Sequence, residues 1–267
     1  MITFPNAKIN LGLNIVRKRE DGYHDIESCF YPIPWHDSLE ILEAASFSFR
    51  SYGLEIPGDA SSNLCVKAYQ LLMEEFDLPP VAIHLLKQIP MGAGMGGGSV
   101  DGAFTLLQLN QLFELGLGTQ KLENYALQLG SDCPFFIRNS PCIATGRGEQ
   151  LVEINLNLGG YYLALYNPGI HISTREAYAG VSPELPSRSI GDILKRPLNE
   201  WKEALINDFE NAIFPNHPSI EALKNYMYAA GALYASMTGS GSTVYGIFQE
   251  KTTDNWHWVH LNQHKDG

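Results

Sequence analysis

Five glycines in seven consecutive positions, Gly92 to Gly98, place the strongest constraint on how this chain can fold. The stretch follows an alternating apolar run, 81–86, that is typical of a strand, and it precedes a periodic run, 104–112, that indicates a helix. Glycines let backbone N–H groups turn inward, and the first N–H groups of a helix have no partner inside the helix. The order strand, glycine loop, helix therefore predicts an anion site, most naturally for a phosphate chain. An ordinary glycine-rich turn is the alternative.

The spacing of the glycines leaves the phosphate ligand open. Residues 92–97 formally satisfy G-x-G-x-x-G, the fingerprint of dinucleotide-binding proteins, although that pattern alone is weak. An NAD-dependent oxidoreductase would then need an acidic residue at the end of the next strand, whereas two helical segments follow here with no strand before Asp132. No Lys-Ser or Lys-Thr follows the glycines, so Walker A is excluded. A triphosphate site would need a lysine from elsewhere in the chain.

Composition excludes several classes of partner. The 267 residues are 45% hydrophobic, which suits one large or two modest globular domains. A net charge of −11 disfavours a nucleic-acid partner, which needs a basic face. The four cysteines show no metal-ligand spacing and indicate buried thiols in a reducing compartment. We find no signal peptide and no apolar run of the roughly 18 residues that span a membrane, so a cytoplasmic protein without a membrane partner is expected.

An alternating strand near the N-terminus supplies a candidate lysine. Residues 7–16 put apolar side chains on one face and polar side chains, including Lys8 and Asn10, on the other. A solvated lysine is the ordinary outcome for such a face. The need for a lysine outside the glycine loop favours a functional Lys8.

Three further residues, Tyr23, His24 and Asp132, each allow a structural and a functional interpretation. Tyr23 and His24 follow a turn and are either half-buried packing or a platform for a substrate base. Asp132 precedes Pro134, so it is either an N-cap or a functional carboxylate. A domain boundary is expected near Gly159, which divides the chain into residues 1–158 and 159–267.

Periodicity predicts the remaining elements. Helices are expected from a cap at Asn63 to about residue 75, over 119–129, and from a cap at Ser173. Two amphipathic helices are expected over 198–212 and 220–234. A second Gly/Ser loop, 237–242, leads into a strand over 243–248, and the tail from Asn255 gives no clear pattern.

Three separated motifs together resemble those of the GHMP small-molecule kinases: Pro5-x-Ala7-Lys8-x-Asn10-Leu11, the loop 90–99, and Met237-Thr238-Gly239-Ser240-Gly241-Ser242. Within that family the likeness is to members that phosphorylate CDP-methylerythritol, a cytidine-bearing alcohol of the non-mevalonate isoprenoid pathway. The residues that carry this likeness are Asp21-Gly22-Tyr23-His24, Gly96-Gly97-Gly98-Ser99, Gly130-Ser131-Asp132-Cys133-Pro134-Phe135-Phe136, Ser173-Thr174-x-x-Ala177-Tyr178 and Asn207-Asp208-Phe209.

The resemblance implies an α+β, two-domain GHMP kinase fold. Its N-terminal domain would be ribosomal-S5-like with a left-handed βαβ unit, and its C-terminal domain ferredoxin-like. It implies ATP and Mg²⁺ as cofactors and transfer of phosphate to the 2-hydroxyl of CDP-methylerythritol. A homoserine or mevalonate kinase is the first alternative and an NAD-binding oxidoreductase the second. A monomer or homodimer is expected.

The resemblance also implies roles for individual residues. Lys8 and Asp132 correspond to the catalytic lysine and aspartate. Asn10, Tyr23, His24 and Tyr178 correspond to the substrate site, and no metal ligand is indicated. The nucleotide site corresponds to Pro90, Met91, Gly92, Ala93, Gly94, Met95, Gly96, Gly97, Gly98, Ser99 and Asn63.

Two positions depart from the family pattern: Ala93, where a glycine is frequent, is a small change, and Val100 matters more. The family usually has two serines after the glycines, whereas this chain has Ser99 followed by Val100. If the second hydroxyl normally contacts phosphate or magnesium, Val100 weakens nucleotide binding unless Ser99 or water takes over that contact.

Overall fold

The structure, a computed structural model, describes residues 1–262. The strands are β1 Ile2–Thr3, β2 Asn6–Lys18, β3 His24–His36, β4 Ser38–Glu43, β5 Ser48–Gly53, β6 Val81–Lys87, β7 Cys142–Thr145, β8 Gln150–Glu153, β9 Tyr162–Tyr166, β10 Tyr234–Met237, β11 Val244–Phe248 and β12 His257–His260. The α-helices are α1 Leu64–Phe76, α2 Gly97–Leu112, α3 Thr119–Leu129, α4 Cys133–Arg138, α5 Thr174–Ala179, α6 Ile190–Leu194, α7 Asp208–Ile213 and α8 Pro218–Ala229. Short 3₁₀ turns occupy Ala60–Ser62 and Leu198–Glu200.

The described chain divides into two compact units that alternate along the sequence. Unit 1 comprises Met1–Ala7, Trp35–Met91 and Gly96–Ser140. Unit 2 comprises Lys8–Pro34, Gly92–Met95 and the chain from Pro141 onward. The division into domains 1–158 and 159–267 stays a prediction.

Unit 1 is one sheet with helices packed against it. The strand order is β1-β4-β6-β5, and β5 and β6 are parallel neighbours joined through α1. The alternate residues Leu39, Ile41, Ile83 and Leu85 are fully buried in a core that includes residues of α1, α2 and α3. This is the period-2 pattern of a sheet with one covered face. The C-terminal end of β6 leads into the glycine loop. The left hand of the β5–α1–β6 crossover stays a prediction.

Unit 2 contains two sheets, of order β2-β3-β7-β8 and β10-β11-β9-β12. In the second sheet β11 pairs antiparallel with β10 and β9, and β12 pairs antiparallel with β9. Helices α5 to α8 fall between β9 and β10. That order agrees with a ferredoxin-like arrangement, except that no helix joins β11 to β12. In the segment that connects β11 to β12, Trp256 packs against Phe248 at the end of β11, with ring centroids 5.6 Å apart.

Many predicted elements are confirmed. The alternating run 7–16 lies in β2, and the run 81–86 lies in β6. Helix α1 begins after Asn63, whose side chain accepts a hydrogen bond from the Cys65 N–H at 2.9 Å. Helix α3 spans the predicted residues 119–129.

The prediction of one amphipathic helix over 198–212 is wrong. The chain forms a 3₁₀ turn at Leu198–Glu200, and helix α7 begins only at Asp208. Between them the Leu13 N–H donates to the Ile206 carbonyl at 2.8 Å, so this segment pairs with the edge of β2. Trp201 and Leu205 are buried at helical spacing without belonging to one long helix, because the strand pairing overrides the local pattern.

The predicted helix over 220–234 is too long. Helix α8 ends at Ala229, and Tyr234 is the first residue of β10. Gly231, with a φ of 101°, supports the change of direction between them. The tail also contains β12, which the sequence analysis missed because its alternation covers only four residues.

Candidate active site

The glycine loop adopts a backbone that requires glycine at alternate positions. The φ angles are 62° at Gly92, 79° at Gly94 and 71° at Gly96, all in the left-handed region. Helix α2 begins directly afterwards at Gly97, so the N–H groups of its first turn have no helical acceptor. Left-handed glycines before a helix N-terminus are the backbone conformation found in many phosphate-binding loops.

The middle of the loop packs directly on the second Gly/Ser loop, within unit 2. A Cβ built on Gly94 would lie 1.9 Å from the Thr238 carbonyl oxygen, which no side chain tolerates. The Thr238 hydroxyl lies 3.0 Å from the Gly94 carbonyl oxygen and 3.0 Å from the Asn10 nitrogen. Because Thr238 is fully buried, these contacts fix the loop against β2.

Asn207 holds the second Gly/Ser loop in place. Its side-chain amide donates to the carbonyls of Met237 at 2.7 Å and Gly239 at 2.9 Å. Its oxygen accepts from the Phe209 N–H, so the same residue also caps α7. In the sequence Asn207 is marked only as part of a family motif, and its local pattern gives no sign of this role.

Lys8 and Asn10 form the polar face of β2, and that face is buried. Lys8 is 3% exposed, its Nζ donates to Asn10 Oδ1 at 2.6 Å, and it lies 4.5 Å from the centre of the Phe30 ring. The Lys8 N–H donates to the Met95 carbonyl at 3.1 Å, which joins β2 to the glycine loop. Lys8 is therefore not a solvated lysine. A buried ammonium group is costly unless it has hydrogen-bond partners, and Asn10 is one such partner here.

The Asn10 side chain is fixed on its other side. Its amide donates to the Ser28 hydroxyl at 2.8 Å, and that hydroxyl donates to the Gly12 carbonyl at 2.6 Å. The Tyr245 hydroxyl donates to the Asn10 carbonyl at 2.7 Å. Asn10 is thus held in one orientation, with its oxygen toward Lys8.

Asp132 lies beside the start of α4 in unit 1. It occupies the N-cap position of α4, but its side chain makes no capping hydrogen bond, so capping does not explain an aspartate there. The next residue, Cys133, is fully buried. Burial raises the pKa of the Cys133 thiol to about 12, so the thiol is neutral and inert. Helices α2 and α4 pack against each other within unit 1.

Val100 is fully buried in the first turn of α2. Its side chain packs in the interior, while Ser99 beside it stays partly exposed. This position, which departs from the family pattern, is therefore a core position in this chain.

The three aromatic candidates for the substrate site lie in unit 2. The rings of His24 and Tyr178 stack directly, with centroids 4.6 Å apart and an interplanar angle of 17°. Tyr23 is 56% exposed, and the Arg147 guanidinium lies 4.9 Å from its ring centre. Burial lowers the pKa of His24, and so does the positive charge of Lys18, which keeps the imidazole neutral at pH 7. A neutral imidazole offers one donor and one acceptor to a base.

Asn63 is the remaining candidate for the nucleotide site. Its side-chain oxygen is engaged in capping α1, which leaves its amide N–H groups as the part that can meet a ligand.

Proteins hold metal ions through sets of histidine, cysteine, aspartate and glutamate side chains. Among residues 1–262, no three histidine, cysteine, aspartate or glutamate side chains come together as a metal site. No helix in this part of the chain is long and apolar enough to cross a membrane.

This fold and these motifs define a class of enzyme. The GHMP kinase N-terminal domain matches residues 63–140, and the GHMP kinase C-terminal domain matches residues 189–255. The chain belongs to the GHMP kinases, two-domain small-molecule kinases that use ATP as the phosphate donor. The predicted two-domain α+β GHMP kinase fold is thereby confirmed.

Particular members of the family match almost the whole chain. It is 54% identical to 4-diphosphocytidyl-2-C-methyl-D-erythritol kinase of Cytophaga hutchinsonii over 94% of this chain and 93% of that protein. It is also 54% identical to the enzyme of the same name from Bacteroides thetaiotaomicron over 95% of this chain and 94% of that protein. A crystal structure of 4-(cytidine 5'-diphospho)-2C-methyl-D-erythritol kinase matches with a TM-score of 0.79 and 31% identity, over 92% of this chain and 90% of that chain.

A crystal structure of mevalonate kinase also matches, with a TM-score of 0.70 over 98% of this chain and 99% of that chain. At 12% identity this second likeness reports the shared fold alone.

Proposed function

We propose that this chain transfers the γ-phosphate of ATP to the 2-hydroxyl of 4-diphosphocytidyl-2-C-methyl-D-erythritol, a step in the synthesis of isoprenoid precursors. The observation that carries the proposal is the 54% identity to kinases of that name over nearly the full length of both chains. The homoserine and mevalonate kinase structures share the fold at 18% identity or less, so they give those alternatives no support beyond the fold.

The glycine loop is proposed to hold the triphosphate. Its left-handed glycines and the free N–H groups at the start of α2 suit the β- and γ-phosphates, and the Ser99 hydroxyl adds a donor beside them. Asn63 would face the adenine through its amide. This arrangement carries no P-loop lysine, which is consistent with the absence of Walker A.

Asp132 is proposed to be the base that accepts the proton of the substrate hydroxyl. Phosphoryl transfer needs little covalent chemistry from the protein, and it depends mainly on positioning and on stabilising charge. Lys8 would stabilise the negative charge that develops on the transferring phosphoryl group. Asn10 orients Lys8 at 2.6 Å and would also hold the substrate hydroxyls.

The cytidine part of the substrate is proposed to bind at Tyr23, His24 and Tyr178. The direct stack of His24 on Tyr178 leaves no gap for a base between those two rings, whereas the Tyr23 ring is exposed and offers a stacking surface. The neutral His24 imidazole would hydrogen-bond the base.

Magnesium is proposed as the metal. Because no carboxylate cluster gathers among residues 1–262, the donor set suits an ion that is carried in by the nucleotide phosphates and keeps most of its water ligands. When bound, the ion neutralises charge on the β- and γ-phosphates. We also propose that the enzyme works in the cytoplasm as a monomer or homodimer.

A direct assay tests the function. Purified protein with Mg-ATP and CDP-methylerythritol is expected to yield ADP and a CDP-methylerythritol phosphate, with the phosphate position read by phosphorus NMR. Homoserine and mevalonate serve as matched alternative alcohols. Turnover of either of them without turnover of CDP-methylerythritol would overturn the substrate assignment and keep the kinase class.

A further inference from the structure

A buried ionic network lies beneath the start of the phosphate-binding helix, within unit 1. Lys87, the last residue of β6, is 1% exposed. Its Nζ donates to the Gly97 carbonyl at 2.9 Å, to Asp101 Oδ2 at 2.9 Å and to Asp37 Oδ2. All three N–H groups of this lysine are therefore used, and one of them holds the first residue of α2.

The two carboxyl groups in this network have different surroundings. Asp37 accepts from Lys87 and from the backbone N–H groups of Gln88, at 2.5 Å, and Ile89, at 2.9 Å. Asp101 accepts one hydrogen bond from Lys87, and within the described residues its other oxygen is buried without a partner. Three donors stabilise a carboxylate at Asp37, whereas an unpartnered buried oxygen disfavours one at Asp101. The positive charge of Lys87 is balanced by the negative charge of the Asp37 carboxylate. The network is therefore neutral only if Asp101 is protonated.

The groups that face Asp101 support a neutral carboxyl. Burial raises the pKa of Asp101 to about 8, and the charge of Asp37 adds to this effect against the opposing effect of Lys87. From α1 the Cys65 thiol also faces it, and burial raises the pKa of that thiol, so it brings no charge. The remaining polar neighbour, the Thr105 hydroxyl, donates to the Asp101 carbonyl and does not titrate in this range.

We propose that Asp101 is a positioning residue for the nucleotide: its neutral form leaves the positive end of α2 free for the phosphates, and its ionisation weakens nucleotide binding in alkaline solution. A carboxylate within the first turns of a helix is attracted to the same partial positive charge that binds phosphate. A second negative charge near Lys87 also competes with the Gly97 carbonyl for the Lys87 ammonium group. This inference rests on the proposed assignment of the glycine loop to ATP.

The experiment is calorimetric binding of MgADP to the full chain at pH 7 and pH 9, without the second substrate. The terminal phosphate of ADP has a pKa of about 6, so it is ionised throughout this pH range and does not itself cause a change in affinity. If only the neutral form of Asp101 is binding-competent, the affinity falls about tenfold over this interval. Asp101→Asn keeps a neutral group whose oxygen accepts from Lys87, so its affinity is expected to change less than about twofold between the same pH values.

Two controls separate this effect from general alkaline effects. Glu40→Gln removes a partly exposed carboxyl from β4 in the same unit and is expected to keep the tenfold fall. If Asp101→Asn does not fold, the parent protein alone tests the proposal, because MgADP binding must then take up protons between pH 7 and pH 9, read from the buffer dependence of the heat.

The outcomes distinguish the two proposals. An affinity that does not change between pH 7 and pH 9 in the folded parent protein overturns the role of Asp101 and leaves the kinase assignment intact. No MgADP binding at either pH overturns the assignment of the loop, and the inference with it.

Discussion

Thr238 and Gly94 are in such close contact that no residue except glycine fits at position 94. The Thr238 carbonyl oxygen lies 1.9 Å from where a Gly94 Cβ would stand, and the Thr238 hydroxyl is 3.0 Å from the Gly94 carbonyl oxygen. The glycine loop is therefore shaped by a second loop that is more than a hundred residues away in sequence. Asn207 sets the shape of that second loop through its bonds to Met237 and Gly239.

Gly94→Ala is expected to displace the loop and to weaken nucleotide binding. The Cβ collides with backbone and the φ of 79° is unfavourable for alanine, so we expect the KM for ATP to rise by at least about tenfold and the free energy of unfolding to fall by about 2–3 kcal/mol. Gly116→Ala is the matched control, since its φ is 66° and no heavy atom lies within 4 Å of its Cβ position. Equal effects of the two variants on the KM for ATP would show that backbone strain alone, and not the Thr238 contact, explains the loss.

Lys8→Met and Asp132→Asn are each expected to lower kcat by about 10²–10⁴-fold while the protein stays folded. Lys8 is buried against Asn10 and Phe30, so it is not a solvated lysine, and Asp132 stands at a helix start without a capping hydrogen bond. Lys67→Met, at an exposed position of α1, is the control for loss of a lysine. Near-normal turnover in either active-site variant, measured with saturating substrates, would remove that residue from the chemistry.

Removal of the Ser99 hydroxyl is expected to affect nucleotide binding, whereas introduction of a hydroxyl at Val100 is expected to affect stability. Ser99→Ala removes a donor at the start of α2, and the KM for ATP should rise by about tenfold. Val100→Ser restores the usual family residue but places a hydroxyl at a fully buried position, so the expected result is a loss of about 1–2 kcal/mol in unfolding free energy. An improved KM for ATP in Val100→Ser would show that the second hydroxyl reaches the nucleotide after all.

Local sequence patterns were sufficient for the parts of the site that depend on residue type at fixed spacing. Alternate glycines followed by apolar residues at helical spacing predicted the loop and α2. Because the loop lacks the lysine of a Walker A motif, a functional role for Lys8 was favoured. Burial of Lys8 and Asn10 could not be predicted, because the alternation of β2 is the same whether its polar face meets water or other protein.

Contacts between distant segments explain the errors and omissions. Residues 198–212 carry a helical apolar period, yet Leu13 pairs with the chain at Ile206 and interrupts the helix. The bonds of Asn207 to the second Gly/Ser loop and of Lys87 to Asp37 join residues 30 or more positions apart. No single-sequence pattern marks such partners, so their roles emerge only from the fold.

The aromatic residues are expected to act on the cytidine substrate and not on ATP. Tyr23→Ala removes the exposed ring, and a lost stacking contact of about 1–2 kcal/mol should raise the KM for CDP-methylerythritol by about tenfold with the KM for ATP unchanged. Tyr23→Phe keeps the ring and should recover most of the affinity. Tyr226→Ala removes another exposed tyrosine, 52% accessible, and is the control. A rise in both KM values for Tyr23→Ala would indicate general disruption instead of base stacking.

Asp101 is expected to make the stability of the protein depend on pH. Burial raises the pKa of its carboxyl from 3.8 to about 8, so between these values the group is protonated in the folded protein and ionised in the unfolded chain. The unfolded chain then binds fewer protons, and the contribution of Asp101 to stability falls as pH rises through this range and is constant above it. Asp101→Asn has no group that titrates at this position. The unfolding free energy of the variant minus that of the parent should therefore grow by about 1 kcal/mol for each unit that the pH rises from 5 to 8. Urea unfolding at four pH values measures this difference, with Glu40→Gln as a control that is expected to show a much smaller slope. A difference between Asp101→Asn and the parent that is the same at pH 5 and pH 8 would mean that Asp101 is already ionised in the folded protein.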